Sequence, residues 1–211
     1  MNYIENIYVC LLTPLLITAF CLRGKGRRLI AFLLCGMTVC LLSSYISTFL
    51  ATVYGADFLT ASLEISPLVE ELMKFLPVLF YLIVFEPDIR ALFDAVLVVA
   101  VGFATFENVC FLTQNGASDI KHLLLRGFGT GAMHVVCGAI VAFGLMYLWD
   151  RVWIRGAGTV GLLAVAMVYH GIYNILVSQS GIPAFIGYAI PMLSIILFLV
   201  FRRDREKDKT E

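Results

Sequence analysis

One stretch of this chain, residues 63–85, decides how the remainder is interpreted: LEISPLVEELMKFLPVLFYLIVF. It is long and apolar enough for a membrane-spanning helix, which needs about 20 residues. Four charged side chains nevertheless lie inside it, namely Glu64, Glu70, Glu71 and Lys74. Each charge at bilayer depth costs about 2.5–3.5 kcal/mol on insertion scales, so we expect these residues to have a functional role.

The whole chain has the composition of a membrane protein. Its 211 residues are 61% hydrophobic and 14% charged, which leaves too little polar surface for a soluble domain. We therefore predict an all-α polytopic membrane protein that forms a single domain over residues 1–211. Basic and acidic residues number 15 each and no nucleic-acid motif is present, so nucleic acid is not an expected partner. About seven transmembrane helices are expected, over residues 3–22, 29–54, 63–85, 91–112, 122–148, 156–178 and 182–201.

The basic residues predict the orientation of the chain in the membrane. If the loop 23–28 is cytoplasmic, 12 of the 15 basic residues are cytoplasmic as well. The positive-inside rule then places the N-terminus outside and the tail, residues 202–211, in the cytoplasm of a multi-pass cell-membrane protein. The twelve residues are Arg23, Lys25, Arg27, Arg28, Arg90, Arg151, Arg155, Arg202, Arg203, Arg205, Lys207 and Lys209.

Polar side chains inside four consecutive spans are predicted to meet. At a rise of about 1.5 Å per residue, Glu71, Glu107 and His170 lie about 8–12 Å below the outer ends of their spans. His134 lies about 18 Å below the outer end of its span, near the middle of the bilayer. We expect these four side chains to share one pocket in the outer half of the membrane. Asp94 is expected near the cytoplasmic end of its span, outside this pocket.

Helical spacing adds two expectations about local pairs. Glu70 and Lys74 are four residues apart and share a helix face, so one interpretation is that Lys74 only neutralises Glu70 in a buried ion pair. Glu71 is turned by about 100° from Glu70, and Glu64 lies on nearly the same side as Glu71. At least one of these three carboxylates should therefore lack a local partner. His170 and Asn174 are also four residues apart, and an imidazole beside an amide suits a site that stabilises an oxyanion.

Prolines and glycines modify the predicted helices. Pro67 and Pro77 flank the glutamate pair and each lacks a backbone donor, so a kink or a widened cavity is expected there. Glycines such as Gly127, Gly129 and Gly131 are expected to let neighbouring helices approach closely.

Four short motifs follow each other on the four polar spans: EExxK at 70–74, FxxxE at 103–107, HxxxG at 134–138 and HxxxN at 170–174. In this order the chain resembles the PrsW family of intramembrane proteases. That family is distantly similar to the CAAX prenyl endopeptidases, which carry FxxxH where this chain has FxxxE. The resemblance covers residues 63–178, which we take as the expected catalytic core.

The resemblance implies hydrolysis of a peptide bond in a membrane-anchored protein. For PrsW relatives it implies first-site cleavage of a membrane-spanning anti-sigma factor from the outer side. CAAX substrates are processed from the cytoplasmic face, so the predicted orientation argues against a prenyl endopeptidase. An anti-sigma factor and the lipid bilayer are thus the expected partners.

Amide hydrolysis needs an activated water, and a glutamate is the expected general base. Either Glu70 or Glu71 deprotonates the water, and the other carboxylate and Lys74 fix the charge of the base. The sequence leaves the choice between the two glutamates open.

A zinc ion is the candidate cofactor. If zinc is bound, His134, His170 and Glu107 supply two nitrogens and one oxygen, a usual set for an open catalytic site. Without a metal, Glu107 helps to hold the water, and His170 and Asn174 polarise the carbonyl group. Two other functions are compatible with the same residues: a proton- or ion-coupled transporter, and a non-catalytic membrane scaffold.

Overall fold

The computed structural model describes residues 3–116 and 119–207, with side chains through residue 200. Every regular element in these residues is a helix, as the sequence predicts. The elements in chain order are α1 (Ile4–Cys21), α2 (Gly24–Tyr54), α3 (Phe58–Thr60), a π-helical segment (Ala61–Ile65), α4 (Ser66–Phe85), α5 (Ile89–Asn115), α6 (Ile120–Leu148), α7 (Val152–Val177) and α8 (Ile182–Lys207).

Among the described residues, six helices are long and apolar enough to cross a membrane: α1, α2, α5, α6, α7 and the part Ile182–Val200 of α8. The chain is therefore an all-α polytopic membrane protein. The predicted span 63–85 is also helical throughout, but the charged side chains of α4 exclude it from a count based on composition. The orientation of the termini stays a prediction, and the basic side chains of the tail 202–211 lie outside the described part of the structure.

Aspartates set the start of three helices. Asp57, Asp88 and Asp119 each accept hydrogen bonds from backbone N–H groups in the first turn of α3, α5 and α6, at 2.7–3.3 Å. These N–H groups have no partner within their own helix, and an N-cap carboxylate supplies one. For this reason α5 and α6 begin at Ile89 and Ile120, slightly before the predicted spans.

Helices α2 and α5 approach each other closely at two glycines. A Cβ atom added at Gly36 would lie 2.2 Å from Val99 O, and one added at Gly102 would lie 2.2 Å from Leu33 O. Both obstacles are backbone atoms, so a larger side chain has no room. Of the three glycines predicted for such a role in α6, only Gly129 has a neighbour within 4 Å of an added Cβ.

The core lies between α4, α5, α6 and α7, where Val78, Ala95, Met133 and Ala166 belong to one buried cluster. Helix α1 lies at the edge of the bundle and has no fully buried residue. Exposed apolar side chains, among them Leu72, Leu124 and Val168, lie on the outside of the same bundle.

Candidate functional site

Polar side chains from four helices converge near one end of the bundle. Glu71 lies within the first two turns of α4, whereas Glu107 and His170 lie about two turns before the ends of α5 and α7. His134 lies about four turns into α6. Although His134 lies deeper by this count, side-chain hydrogen bonds join all four residues through Lys74. The structure thus brings together the four side chains that were predicted to meet from their depths in the membrane.

Lys74 lies at the centre of this group. Its Nζ donates to Glu71 Oε1 at 2.6 Å and to His134 Nδ1 at 2.9 Å, and it lies 5.0 Å from the centre of the Phe103 ring. The side chains of Lys74 and Glu71 are only 6% and 4% exposed. A buried ion pair of this kind compensates for the lost hydration only when further hydrogen bonds satisfy both charges, as they do here.

This geometry excludes the interpretation in which Lys74 neutralises Glu70. Lys74 pairs instead with Glu71, three residues before it. Residues three and four apart share a helix face equally well, so spacing alone does not choose between them. The choice is made by partners on other helices, since His134 and His170 both lie beside the Glu71–Lys74 pair.

His170 connects the two glutamates of α4. Its Nδ1 donates to Glu71 Oε1 at 2.7 Å, and its Nε2 lies 3.8 Å from Glu70 Oε2. Because Nδ1 carries the proton toward a carboxylate, Nε2 of the neutral ring presents a lone pair to Glu70. A carboxylate on the far side of the ring is the arrangement that orients a histidine for catalysis or for metal binding.

Glu70 is the member of the group whose carboxylate is least engaged. Its Oε2 is buried yet has no hydrogen-bond partner among the described residues. The side chain as a whole is 17% exposed, in contrast to the enclosed Glu71. The expectation that one carboxylate lacks a local partner is met by Glu70.

Glu107 extends the network toward α6. Its Oε2 accepts from His134 Nε2 at 2.5 Å, and its Oε1 accepts from Arg126 Nη2 at 3.0 Å. Both ring nitrogens of His134 are therefore engaged, one by Lys74 and the other by Glu107. The two histidine rings lie almost perpendicular, with centroids 5.1 Å apart.

Asn174 has a partner that the sequence did not predict. Its Nδ2 donates to the backbone oxygen of Ser62 at 3.0 Å, in the π-helical segment. In this segment Ser66 N bonds to Ala61 O, and the next donor in the same register would be residue 67. Pro67 has no N–H group, so the carbonyl of Ser62 is left without a helical partner and Asn174 provides one.

The π-helical segment Ala61–Ile65 ends two residues before Pro67, and the kink or widened cavity expected between Pro67 and Pro77 stays a prediction. A π-helical turn within an α-helix is rare and often marks a functional site. Here it directly precedes α4, the helix that carries the glutamate pair, and Asn174 joins it to α7. Glu64 lies in the segment but is exposed.

Three side chains form a group that could hold a metal ion. Glu70, His134 and His170 each offer one ligand atom, and these atoms lie within 4.8 Å of one another. The set differs from the one predicted, because Glu70 takes the position expected for Glu107. The orphaned Oε2 of Glu70 and the lone pair on Nε2 of His170 fit a divalent cation such as zinc. His134 would join them if one of its nitrogens exchanged its present partner, Lys74 or Glu107, for the metal.

Sequence reasoning missed Arg126 as a member of the site. A signal was available, because α5 and α6 are antiparallel neighbours joined by a short loop. Glu107 lies about two turns before this loop and Arg126 about two turns after it, which places the two residues at one level. Asp94, expected to lie apart, contacts Lys25 at 2.7 Å and is not part of the network.

The network contains the groups that hydrolysis of an amide requires. A carboxylate with a free oxygen is available as a base, and buried charges hold its neighbours in fixed positions. A protein-family model described as PrsW family intramembrane metalloprotease matches residues 25–201, which include every contact of the network. No curated protein and no solved structure matches the chain significantly. With most of its length matched and its polar motifs gathered in one buried group, the chain belongs to the PrsW family of intramembrane metalloproteases.

Proposed function

We propose that the protein cleaves a peptide bond of a membrane-anchored substrate near the outer face of the membrane, with Glu70 as the general base. One observation carries the choice of base: within the described part of the chain Glu70 Oε2 has no hydrogen-bond partner, whereas Glu71 Oε1 accepts from both Lys74 and His170. A base must have a free lone pair within reach of the water.

Glu70 performs the proton transfers of the reaction. It takes a proton from water as the water oxygen attacks the carbonyl carbon of the substrate. It then gives this proton to the amine nitrogen as the carbon–nitrogen bond breaks. The same carboxylate is thereby restored, and one water is consumed for each bond cleaved.

Glu71, Lys74 and His170 keep the base in position. Lys74 and the Nδ1–H of His170 hold Glu71 ionised and fixed, so Glu71 orients the His170 ring. The lone pair on His170 Nε2 then faces Glu70 at 3.8 Å, a spacing too long for a direct hydrogen bond. We place the attacking water beside these two atoms.

The family name supports a bound metal, and Glu70, His134 and His170 are the group that could hold it. One oxygen of Glu70 would then be a ligand beside His134 and His170, and the other oxygen of the same carboxylate would act as the base. When bound, a divalent metal such as zinc would polarise a water and make it a stronger nucleophile. Glu71 then serves as the carboxylate that orients the His170 ligand, which is a common arrangement around metal-bound histidines.

The side-chain amide of Asn174 makes one hydrogen bond within the protein and has a second hydrogen to donate. One hydrogen of its amide is directed to Ser62 O, and an amide nitrogen carries two. We assign the second hydrogen to the carbonyl oxygen of the substrate. His170 is less suited to this oxyanion role, since its Nδ1–H is directed to Glu71.

The substrate we propose is a protein with a single transmembrane helix, and an anti-sigma factor is the first to test. The network lies toward the end of the bundle at which α4 and α6 begin. Under the positive-inside orientation this end is external, so cleavage would occur on the outer side.

Co-expression with candidate single-span proteins tests the proposal. We expect wild-type protein and Asp94→Asn, a control remote from the network, to release a fragment cut near the outer face. Glu70→Gln should release none at equal protein level. Cleavage by Glu70→Gln at the wild-type rate would refute the assignment of the base. A fragment cut at the cytoplasmic side would refute the proposed orientation.

Family membership favours this peptidase over a transporter or a scaffold. Glu70→Gln also separates the three functions. A transporter would lose flux of its solute, and a scaffold would lose only stability, whereas a peptidase loses turnover and keeps its fold.

A further inference from the structure

Arg126 is a charged residue of α6 that no catalytic step described above uses. Its side chain is 15% exposed, and its Nη2 donates to Glu107 Oε1 at 3.0 Å. A cation within a membrane helix is costly unless it is paired and has a role. The partner of Arg126 is Glu107, which in turn contacts His134.

Two further contacts fix the guanidinium group. Its Nη1 donates to Asn108 Oδ1, and its central carbon lies 3.9 Å from the centre of the Phe111 ring. Glu107, Asn108 and Phe111 lie within about one turn of α5. A planar guanidinium can satisfy two acceptors and stack on a ring at once, which a lysine ammonium cannot do.

The ion pair continues into the network through the other oxygen of Glu107. His134 Nε2 donates to Glu107 Oε2 at 2.5 Å, and Lys74 Nζ donates to His134 Nδ1 at 2.9 Å. With Nδ1 as acceptor, the neutral His134 ring carries its proton on Nε2. Arg126 and His134 thus bind the two oxygens of one carboxylate.

We propose that Arg126 is a positioning residue that holds Glu107 and, through it, His134 in the orientation that the reaction requires. Glu107 is 27% exposed, whereas His134 is completely buried. Without Arg126 the Glu107 carboxylate is free to turn away from His134, whose Nε2–H then loses its acceptor. This role rests on the proposed peptidase function.

Kinetic measurements on two substitutions test the proposal. We expect Arg126→Gln to lower kcat about 10- to 100-fold with little change in KM, since loss of a residue that orients a site ligand has effects of this size. Arg126→Lys should recover part of the loss, because it restores the charge but not the two-pronged geometry.

Arg155 offers a matched control. Its Nε donates to Trp149 O at 2.6 Å and its guanidinium lies 4.7 Å from the centre of the Trp149 ring. These contacts resemble those of Arg126 but lie near the opposite end of α7 from His170. Arg155→Gln should keep wild-type kcat. An equal loss in both glutamine variants would overturn a specific role for Arg126.

The histidine rings give a readout that does not depend on activity. The chain has three histidines, so imidazole nitrogen-15 resonances can be assigned from single substitutions. In Arg126→Gln we expect the Nε2–H resonance of His134 to shift and broaden, while that of His170 Nδ1 is unchanged. An unchanged His134 resonance would overturn the proposal even if cleavage were lost.

These two readouts separate failure of this inference from failure of the proposed function. If wild-type protein does not cleave any substrate but the His134 resonance responds to Arg126→Gln, the positional coupling stands and the peptidase assignment fails. If Arg126→Gln does not fold, Asn108→Ala removes one contact of the guanidinium and should give a smaller change of the same resonance. No change in Asn108→Ala would then count against the proposal.

Discussion

Lys74 and His134 lie 60 positions apart in the sequence, yet Lys74 Nζ is 2.9 Å from His134 Nδ1. The same ammonium group contacts Glu71 Oε1 at 2.6 Å. One buried cation therefore joins α4 to α6 and, through Glu71, to His170 of α7. The helices that carry the site are held together by the charges of the site itself.

Removal of this cation should destabilise the fold. We predict that Lys74→Met lowers the free energy of unfolding by about 3–5 kcal/mol, because Glu71 becomes a buried charge without its counterion. The double variant Glu71→Gln with Lys74→Met should recover much of this stability and still fail to cleave. Thermal unfolding in detergent and a cleavage assay measure the two effects. Recovery of cleavage in the double variant would show that neither residue is needed for the reaction.

The two glutamates of α4 should respond differently to the same substitution. Glu70→Gln should keep the stability of the wild type and lower kcat by about 10²- to 10⁴-fold, the usual contribution of a general base. Glu71→Gln should lower stability as well, because Lys74 then loses its charged partner. Unfolding curves and cleavage rates measured on both variants under the same conditions distinguish the two roles. Equal loss of stability in both variants would contradict the different roles assigned to them.

Metal content distinguishes the candidate ligands that the structure brings together, Glu70, His134 and His170, from the set predicted from sequence. Protein loaded with zinc and freed of excess metal should retain zinc in the wild type and lose it in Glu70→Gln and His170→Ala. Glu107→Gln should retain most of it, because Glu107 lies outside the three-residue group and only orients His134. Elemental analysis gives the stoichiometry. Loss of zinc in Glu107→Gln but not in Glu70→Gln would restore the set of His134, His170 and Glu107.

Much of the site could be predicted because it depends on depth in the membrane. Counting residues along antiparallel helices places Glu107 and His170 at the level of Glu71, and charged side chains in apolar helices have few options except each other. The pairing within the group could not be predicted. Whether Lys74 contacts Glu70 or Glu71 depends on side chains from α6 and α7, and their rotation about the helix axes is set by packing.

The close contact between α2 and α5 could not be predicted from the sequence either. The glycine pattern predicted close approach at α6 instead. We predict that Gly36→Ala and Gly102→Ala each lower the free energy of unfolding by about 1–3 kcal/mol, because the new Cβ would meet backbone atoms at 2.2 Å. Gly127→Ala is the control, since an added Cβ there meets nothing within 4 Å. It should be neutral or slightly stabilising. Equal destabilisation by all three would show that the contact is not specific.

The contact between Asn174 and Ser62 leads to a prediction with a compensating change. Asn174→Ala should lower the free energy of unfolding by about 1–3 kcal/mol, because the carbonyl of Ser62 loses its donor. Pro67→Ala adds a backbone N–H at residue 67, which can donate to Ser62 O within the helix. The double variant should therefore be more stable than Asn174→Ala alone. If unfolding measurements show no recovery, the missing proline donor is not the reason that Asn174 is held there. If cleavage returns together with stability, Asn174 acts through the helix and not through its second amide hydrogen.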